Sequence, residues 1–185
     1  VGNLIYTAMT SLDGYIEDEA GNFDWSVPTP EVHAFINDLE RTAGTHLYGR
    51  RLYEVMRVWG TEDFSAEPPE MQDYAAIWQA AEKVVYSTTL ESPSTPRTRI
   101  ERTFDAEAVR ALKASVDHDL AIGGAALATR ALEAGLVDEV RLFIAPVLVG
   151  GGKPWLASAL QARLHLLEEY PFPGGMVYLR YRTAA

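Results

Sequence analysis

From about position 45 to position 145 the chain alternates short apolar or β-branched runs with amphipathic helical runs, and this alternation constrains the fold more than any other feature. "THLY" (45–48), "KVVYST" (83–88), "HDLAIGG" (118–124) and "DEVRLFIAP" read as strands. "EPPEMQDYAAIWQAAE" spaces Met71, Tyr74, Ala75, Trp78 and Ala81 helically, and "DAEAVRALKASV" does the same with Val109, Leu112 and Val116. "AALATRALEAG" is a further helix, with Gly135 at its C-terminal stop. Strands separated by helices must pair in parallel through crossovers, and a parallel sheet needs helices on both faces.

The two ends of the chain complete the pattern. "NLIYTAM" (3–9) is a strand, and "TPEVHAFINDLERTAG" is a helix with Thr29 as N-cap, Pro30 in its first turn, Val32, Phe35, Ile36 and Leu39 on one face, and Gly44 as its stop. "ARLHLLEEYPFPGGMVYLRYRT" holds two alternating runs around a Pro/Gly turn, which is an antiparallel hairpin. The stretch "STTLESPSTPRTR" reads as loop. With 185 residues, 48% of them hydrophobic, one buried core and a single domain over 1–185 are expected.

Charge and composition exclude several function classes. A net charge of −10 opposes general binding to nucleic acid or anionic membranes, so a phosphorylated ligand needs a local cationic pocket. Without cysteine there is no disulfide, thiolate metal site or cysteine nucleophile, which fits a reducing, cytoplasmic setting. His33, His46, His118 and His165 form no pair at metal-ligand spacing, so no metal is expected. No apolar run approaches the roughly 20 residues of a membrane span, and the N-terminus lacks the basic start of a signal peptide.

Gly123 and Gly124 stand between a strand and a helix, where open parallel sheets take ligands. Glycine there permits close backbone approach, and the helix opened by Ala125 and Ala126 has free N–H groups that favour a pyrophosphate. A Gly-Gly pair also serves simply to turn a strand sharply into a helix. "LYGRRLYEVM" repeats the arrangement with Gly49, then Arg50 and Arg51 where cations oppose a helix dipole unless an anion is bound. "YSTTL" adds the hydroxyls of Ser87, Thr88 and Thr89. Two arginines and several hydroxyls suit a monoester phosphate such as the 2′-phosphate of NADP, although the arginines equally suit a solvated salt-bridge face. The second cluster, Gly150, Gly151 and Gly152, reads as a flexible turn before a short helical segment around Trp155 and Leu156.

Taken in order, "IYTAMTSLDGYIEDEAGNFDW", "LYGRRLYEVM", "VVYSTTL", "IGGAAL" and "EAGLVDEVRLFIAPVLVGGGKPWL" resemble the dihydrofolate-reductase-like family, in particular the reductase domain of bifunctional riboflavin-biosynthesis deaminase-reductases. The resemblance covers nearly the whole chain. It implies a three-layer α/β/α fold with a mainly parallel sheet, and NADPH as hydride donor to a CH–NH or C=N type group of a small pteridine- or pyrimidine-like heterocycle. It places the pyrophosphate at Gly123, Gly124, Ala125 and Ala126, and the adenosine 2′-phosphate at Arg50, Arg51, Ser87 and Thr88 beside Gly49. The nicotinamide side falls at Ala8 and Met9 with the "SLDGYIEDEAG" loop. It also implies a cis peptide bond between Gly123 and Gly124.

The deaminase half is absent from this chain, which has no H-x-E and P-C-x-x-C signature. The acid that binds the pterin in dihydrofolate reductases would fall near Pro30; Glu31 is one step away and Asp24 just precedes the tryptophan. Glu31 is also an ordinary first-turn acid, and Asp13 stands in an Asp-Gly turn signal. Trp25, Phe35, Met56 and Trp59 offer stacking surface for a flat acceptor, and each equally suits the core. Authentic dihydrofolate reductase and a non-catalytic nucleotide-binding protein are the alternatives. A homodimer is expected from edge strands and the apolar run "LFIAPVLV".

Overall fold

The computed structural model describes residues 1–184. Its first half runs β1 (Leu4–Ser11), β2 (Tyr15–Glu17), α1 (Pro30–Glu40), β3 (Ala43–Gly49), α2 (Arg50–Met56), α3 (Val58–Thr61), α4 (Pro69–Ala80) and β4 (Glu82–Tyr86). The second half runs β5 (Thr98–Glu101), α5 (Ala106–Ser115), β6 (Asp119–Gly123), α6 (Ala125–Glu133), β7 (Glu139–Ala145), β8 (Lys153–Pro154), β9 (Leu164–Pro171) and β10 (Val177–Thr183). The main sheet has the order β5-β4-β3-β6-β1-β7-β10-β9. Every pairing from β5 to β7 is parallel, and β10 runs antiparallel to both β7 and β9. The fold is the three-layer α/β/α arrangement with an antiparallel C-terminal edge.

Alternate residues of the central strands feed two different cores. Leu4, Leu47, Val84, Leu120 and Ile122 pack with Val109 of α5 and Leu127 of α6. Tyr48 and Val85, their neighbours in sequence, face the other way and pack with Tyr53 of α2 and Trp78 of α4. A third cluster joins Val32 of α1 to Phe143 and Tyr178. Removing a side chain as fully buried as Trp78 costs about 3–5 kcal/mol, so the continuous apolar runs of the central strands are what commits them to this double-sided burial.

Local signals set most boundaries. Thr29 Oγ1 accepts from the Val32 amide at 3.3 Å and starts α1, and Asp105 Oδ1 accepts from the Glu107 amide at 2.9 Å and starts α5. Gly135 follows α6 with φ +65°, the left-handed conformation that terminates a helix.

Five expectations need correction. Gly44 does not stop α1, which ends at Glu40; it lies within β3, where a Cβ would stand 2.6 Å from the His118 ring. The stretch read as loop contains the start of β5, a short outer strand with alternating exposure. No helix forms at Trp155 and Leu156, because Lys153 and Pro154 pair with β2 in a second, two-stranded sheet and Trp155 stacks on Tyr6. All peptide bonds among the described residues are trans, that between Gly123 and Gly124 included. The run "LFIAPVLV" is not uniformly an exposed apolar surface: Phe143 and Ala145 are buried inside the sheet while Leu148 is exposed, and of the two sheet edges, β5 and β9, it is β9 that exposes large apolar side chains, Leu164, Leu166, Leu167 and Tyr170. Among the described residues no helix is long and apolar enough to cross a membrane.

Candidate active site

β3 and β6 are neighbours in the sheet, yet their connections leave in opposite directions, β3 through α2 and α4 to β4 and β6 through α6 to β7. Such a switch point opens a crevice at the carboxyl ends of the strands, which is where open α/β sheets hold ligands. The two loops at this crevice are those of Gly49 and of Gly123–Gly124. They touch: a Cβ on Gly124 would lie 3.5 Å from the Gly49 nitrogen, and Gly124 adopts φ +95°. Gly123 is closed from the other side by Leu52 of α2, whose Cδ2 would sit 2.3 Å from an added Cβ. Helix α6 begins at Ala125 with no side-chain cap, so its first amides point into the crevice without a protein partner from a cap. These residues fit a pyrophosphate: close backbone, free N–H groups and a helix dipole.

On the side of β4, Arg50 and Arg102 meet one loop, whereas Arg51 turns toward β2. Arg50 Nη1 donates to the Thr89 hydroxyl and its Nε donates to Glu54 at 2.9 Å. Arg51 lies 3.6 Å from Glu17. Ser87 Oγ accepts from the amides of Thr89 (3.3 Å) and Leu90 (3.0 Å), so this hydroxyl shapes its own loop, while Thr88 is exposed. Arg102, which no sequence motif singles out, donates through Nη1 to the carbonyls of Ser87 (3.0 Å) and Leu90 (2.6 Å). It reaches this loop from the end of β5, a strand that the sequence pattern does not reveal.

Met9 and Ala8 are adjacent in β1 but face opposite layers, Met9 toward the cluster of Phe143 and Trp25 and Ala8 toward α6. The four aromatic and apolar candidates divide in the same way. Trp25 and Phe35 pack with Phe143 and Tyr178, whereas Met56 and Trp59 pack with Tyr53 and Tyr74; Ile36 of α1 touches both groups. His33 meets Trp59 and Tyr74 edge-on and contacts Asn37 Oδ1 at 3.2 Å through Nδ1, a packed helix residue.

The three candidate acids differ. Asp13 is anchored: Oδ2 accepts from the Gly150 amide at 2.8 Å and Oδ1 from that of Val149 at 3.2 Å. The Ser11 hydroxyl, followed by these amides, holds its carboxyl below the ordinary carboxylate range. Asp24, in a 3-10 turn, and Glu31, in the first turn of α1, are exposed. Groups with strongly displaced protonation lie deeper. Burial pushes Glu40 up to about 7, offset in part by Arg141, and burial lowers His46 to about 4 with the help of Lys83. Glu40 is the last residue of α1, and His46 of β3 lies 3.9 Å from its carboxyl through Nδ1. A cavity of about 360 Å³ between α4 and the amino end of β3, lined by Arg41, Ala43 and Asp73, opens away from the crevice. No group of three or more His, Asp or Glu among the described residues could hold a metal.

The RibD C-terminal domain family matches residues 3–178. The chain belongs to that family. A relative from Bacillus subtilis (strain 168), the uncharacterized protein YyaP, is 31% identical over 185 residues, covering 96% of this chain and 93% of its own. A putative riboflavin biosynthesis protein from Shewanella sp. PV-4 superposes with a TM-score of 0.77 at 21% identity over 99% of both chains. The deaminase/5-amino-6-(5-phosphoribosylamino)uracil reductase of Thermotoga maritima gives 0.68 at 14% identity, covering 99% of this chain and 57% of that one. Dihydrofolate reductase from Enterococcus faecalis, complexed with NADP(H), gives 0.65 at 15% identity over 100% of this chain and 98% of that one. The structures share the fold; membership of the RibD C-terminal domain family brings this chain among riboflavin-biosynthesis-type reductases.

Proposed function

We propose that this protein is an NADPH-dependent reductase that delivers hydride to a C=N or CH–NH type position of a small pyrimidine- or pteridine-like ring. The observation that carries the reading is the contact between the Gly49 and Gly124 loops at the β3/β6 switch point, beside the uncapped start of α6. When bound, NADPH supplies the hydride.

The chain's own residues do the rest. The amides from Gly124 to Ala126 hold the pyrophosphate, and Arg50, Arg51 and Arg102 surround the 2′-phosphate with the Ser87–Thr89 hydroxyls. Re-aiming Arg50 costs little, because its present pair with Glu54 is exposed and such pairs contribute about 0–1 kcal/mol. The backbone at Ala8 and Met9 backs the nicotinamide. Trp25 and Phe35 on one wall and Met56 and Trp59 on the other orient the acceptor and exclude water. Asp13 positions the loop of Val149 and Gly150. Glu31 and Asp24, exposed at the mouth, are the acids available to exchange a proton with the acceptor.

A second copy is proposed to cover β9, whose unpaired edge carries four exposed large apolar side chains. Light scattering at micromolar concentration tests this: a dimer is expected, and a monomer rejects it. The reductase reading is tested by following NADPH oxidation with pterins, pyrimidines and quinones. Oxidation that depends on both protein and acceptor supports it. Binding of NADPH with no oxidation by any acceptor leaves a nucleotide-binding protein, and tight competition by methotrexate would favour dihydrofolate reductase itself.

A further inference from the structure

The face of the sheet that receives α1 and α4 carries ionisable side chains that the proposed reaction does not use. His46 of β3, Lys83 of β4 and Arg141 of β7 are buried, and Glu40, the last residue of α1, brings its carboxyl to 3.9 Å from His46 Nδ1 with 12% of its side chain exposed.

An indole N–H can only donate, and this fixes the roles around His46. Trp78 Nε1 donates to Tyr48 Oη at 3.0 Å, and among the described residues the acceptor for the Tyr48 hydroxyl is His46 Nδ1, at 3.1 Å. Nδ1 therefore presents a lone pair and the ring is neutral, with its proton on Nε2, a buried atom without a partner. Burial and the nearby Lys83 ammonium, which donates to the Trp78 carbonyl at 3.0 Å, keep it neutral.

The other charges on this face are matched without Glu40. Arg141 donates to Glu139 Oε2 through Nε at 3.3 Å and Nη2 at 3.0 Å. Arg180 donates to the same carboxylate and lies 3.9 Å from Glu168. A Glu40 carboxylate would thus face a nitrogen lone pair, at the end of a helix where the dipole is negative, with Arg141 already engaged elsewhere. Tyr48 and Tyr74 of α4, which also feel its charge, are held neutral by burial.

We propose that Glu40 is held as a neutral carboxylic acid beneath the end of α1, and that loss of its proton loosens the last turn of α1 from the sheet. This pH-sensitive seat stands whether or not the protein is a reductase. Burial, opposed in part by Arg141, pushes Glu40 up to about 7, so the folded protein keeps a proton that the unfolded chain has already released. The stability it contributes is full below the ordinary carboxylate range and is lost as the pH rises through about 7.

The test compares wild type with Glu40→Gln, whose side chain keeps the shape and cannot ionise. The infrared carbonyl band of a protonated carboxylic acid should be present in wild type at about pH 6, disappear on titration to about pH 8.5 and be missing from the variant. Over the same range the unfolding equilibrium should move by at least about tenfold in favour of Glu40→Gln, read as a widening Tm gap. His46 and Lys83 titrate in both proteins and drop out of the difference. Hydrogen exchange at the upper pH should find residues 37–41 less protected in wild type than in the variant. Absence of the band at about pH 6, a Tm gap that does not change with pH, or equal protection of 37–41 at the upper pH overturns the proposal. Should Glu40→Gln fail to fold, Glu40→Met, of similar length and uncharged, takes its place in all three measurements.

Discussion

The two glycine-rich connections leave strands on either side of β1, and their surroundings have little in common. After β6, Gly123 and Gly124 run straight into α6, whose first amides have no capping side chain, and Gly124 rests on Gly49 at the switch point. After β7, Gly150–Gly152 is tied down. Asp13 accepts the amides of Val149 and Gly150, and a Cβ on Gly152 would lie 2.1 Å from the Glu17 carbonyl oxygen, because the chain must enter the β2–β8 pairing. The element that comes after the glycines therefore decides their role. A helix start leaves donors free for a ligand, while a strand start uses its donors in the fold.

Exchanging the glycines for bulkier residues should separate the two roles. Gly124→Val places a β-branched residue at φ +95° against Gly49, and NADPH affinity is expected to fall at least about 100-fold, roughly 2.7 kcal/mol, as read by calorimetric titration. Next in size, Arg50→Ala with Arg51→Ala should weaken NADPH by about 1.5–3 kcal/mol and leave NADH nearly unchanged, since only NADPH carries the extra phosphate. Equal losses for the two cofactors would reject the 2′-phosphate assignment.

Gly152→Ala should act on the fold alone. Forcing a Cβ into Glu17 at φ +133° costs about 1–3 kcal/mol, a fall in Tm of roughly 2–4 °C for each kcal/mol in a chain of this size, with the NADPH Kd unchanged. A weakened Kd would mean that the second loop also touches the cofactor.

The smallest effect is that of Asp13→Asn. The Asp13 carboxyl binds its proton less readily in the folded protein than in the unfolded chain, so its contribution is full above the ordinary carboxylate range and is lost as the pH falls through that range and below it. The Tm gap between wild type and Asp13→Asn should therefore be present at neutral pH and close on acidification; a gap independent of pH would mean that the ionised carboxylate is not what holds the loop.

Much of this contrast was legible in the sequence, for identifiable reasons. Continuous apolar strands alternating with helical stripes leave a parallel sheet as the consistent solution, and Gly-Gly between a strand and an Ala-rich helix start marks the crevice. Elements set by distant contacts were not legible. β2 and β8 are two or three residues long and exist only because they pair across the chain. β5 is a four-residue edge strand inside a Pro/Ser/Thr-rich stretch, and with it Arg102 was hidden. Gly44 resembles a helix stop in sequence, but its lack of a side chain answers the approach of His118. Ala8 lies at the right end of β1, yet strand alternation turns its side chain toward α6.

The central claim is that the first glycine loop and its neighbouring arginines form an NADPH site. Thermal unfolding with NADPH, with NADH and with neither tests it most directly, because a ligand at about 100 times its Kd stabilises the folded state by roughly 2.7 kcal/mol. The account predicts a rise in Tm with NADPH that clearly exceeds the rise with NADH. No shift with either cofactor would contradict it, and would leave the dihydrofolate-reductase-like fold without its donor site.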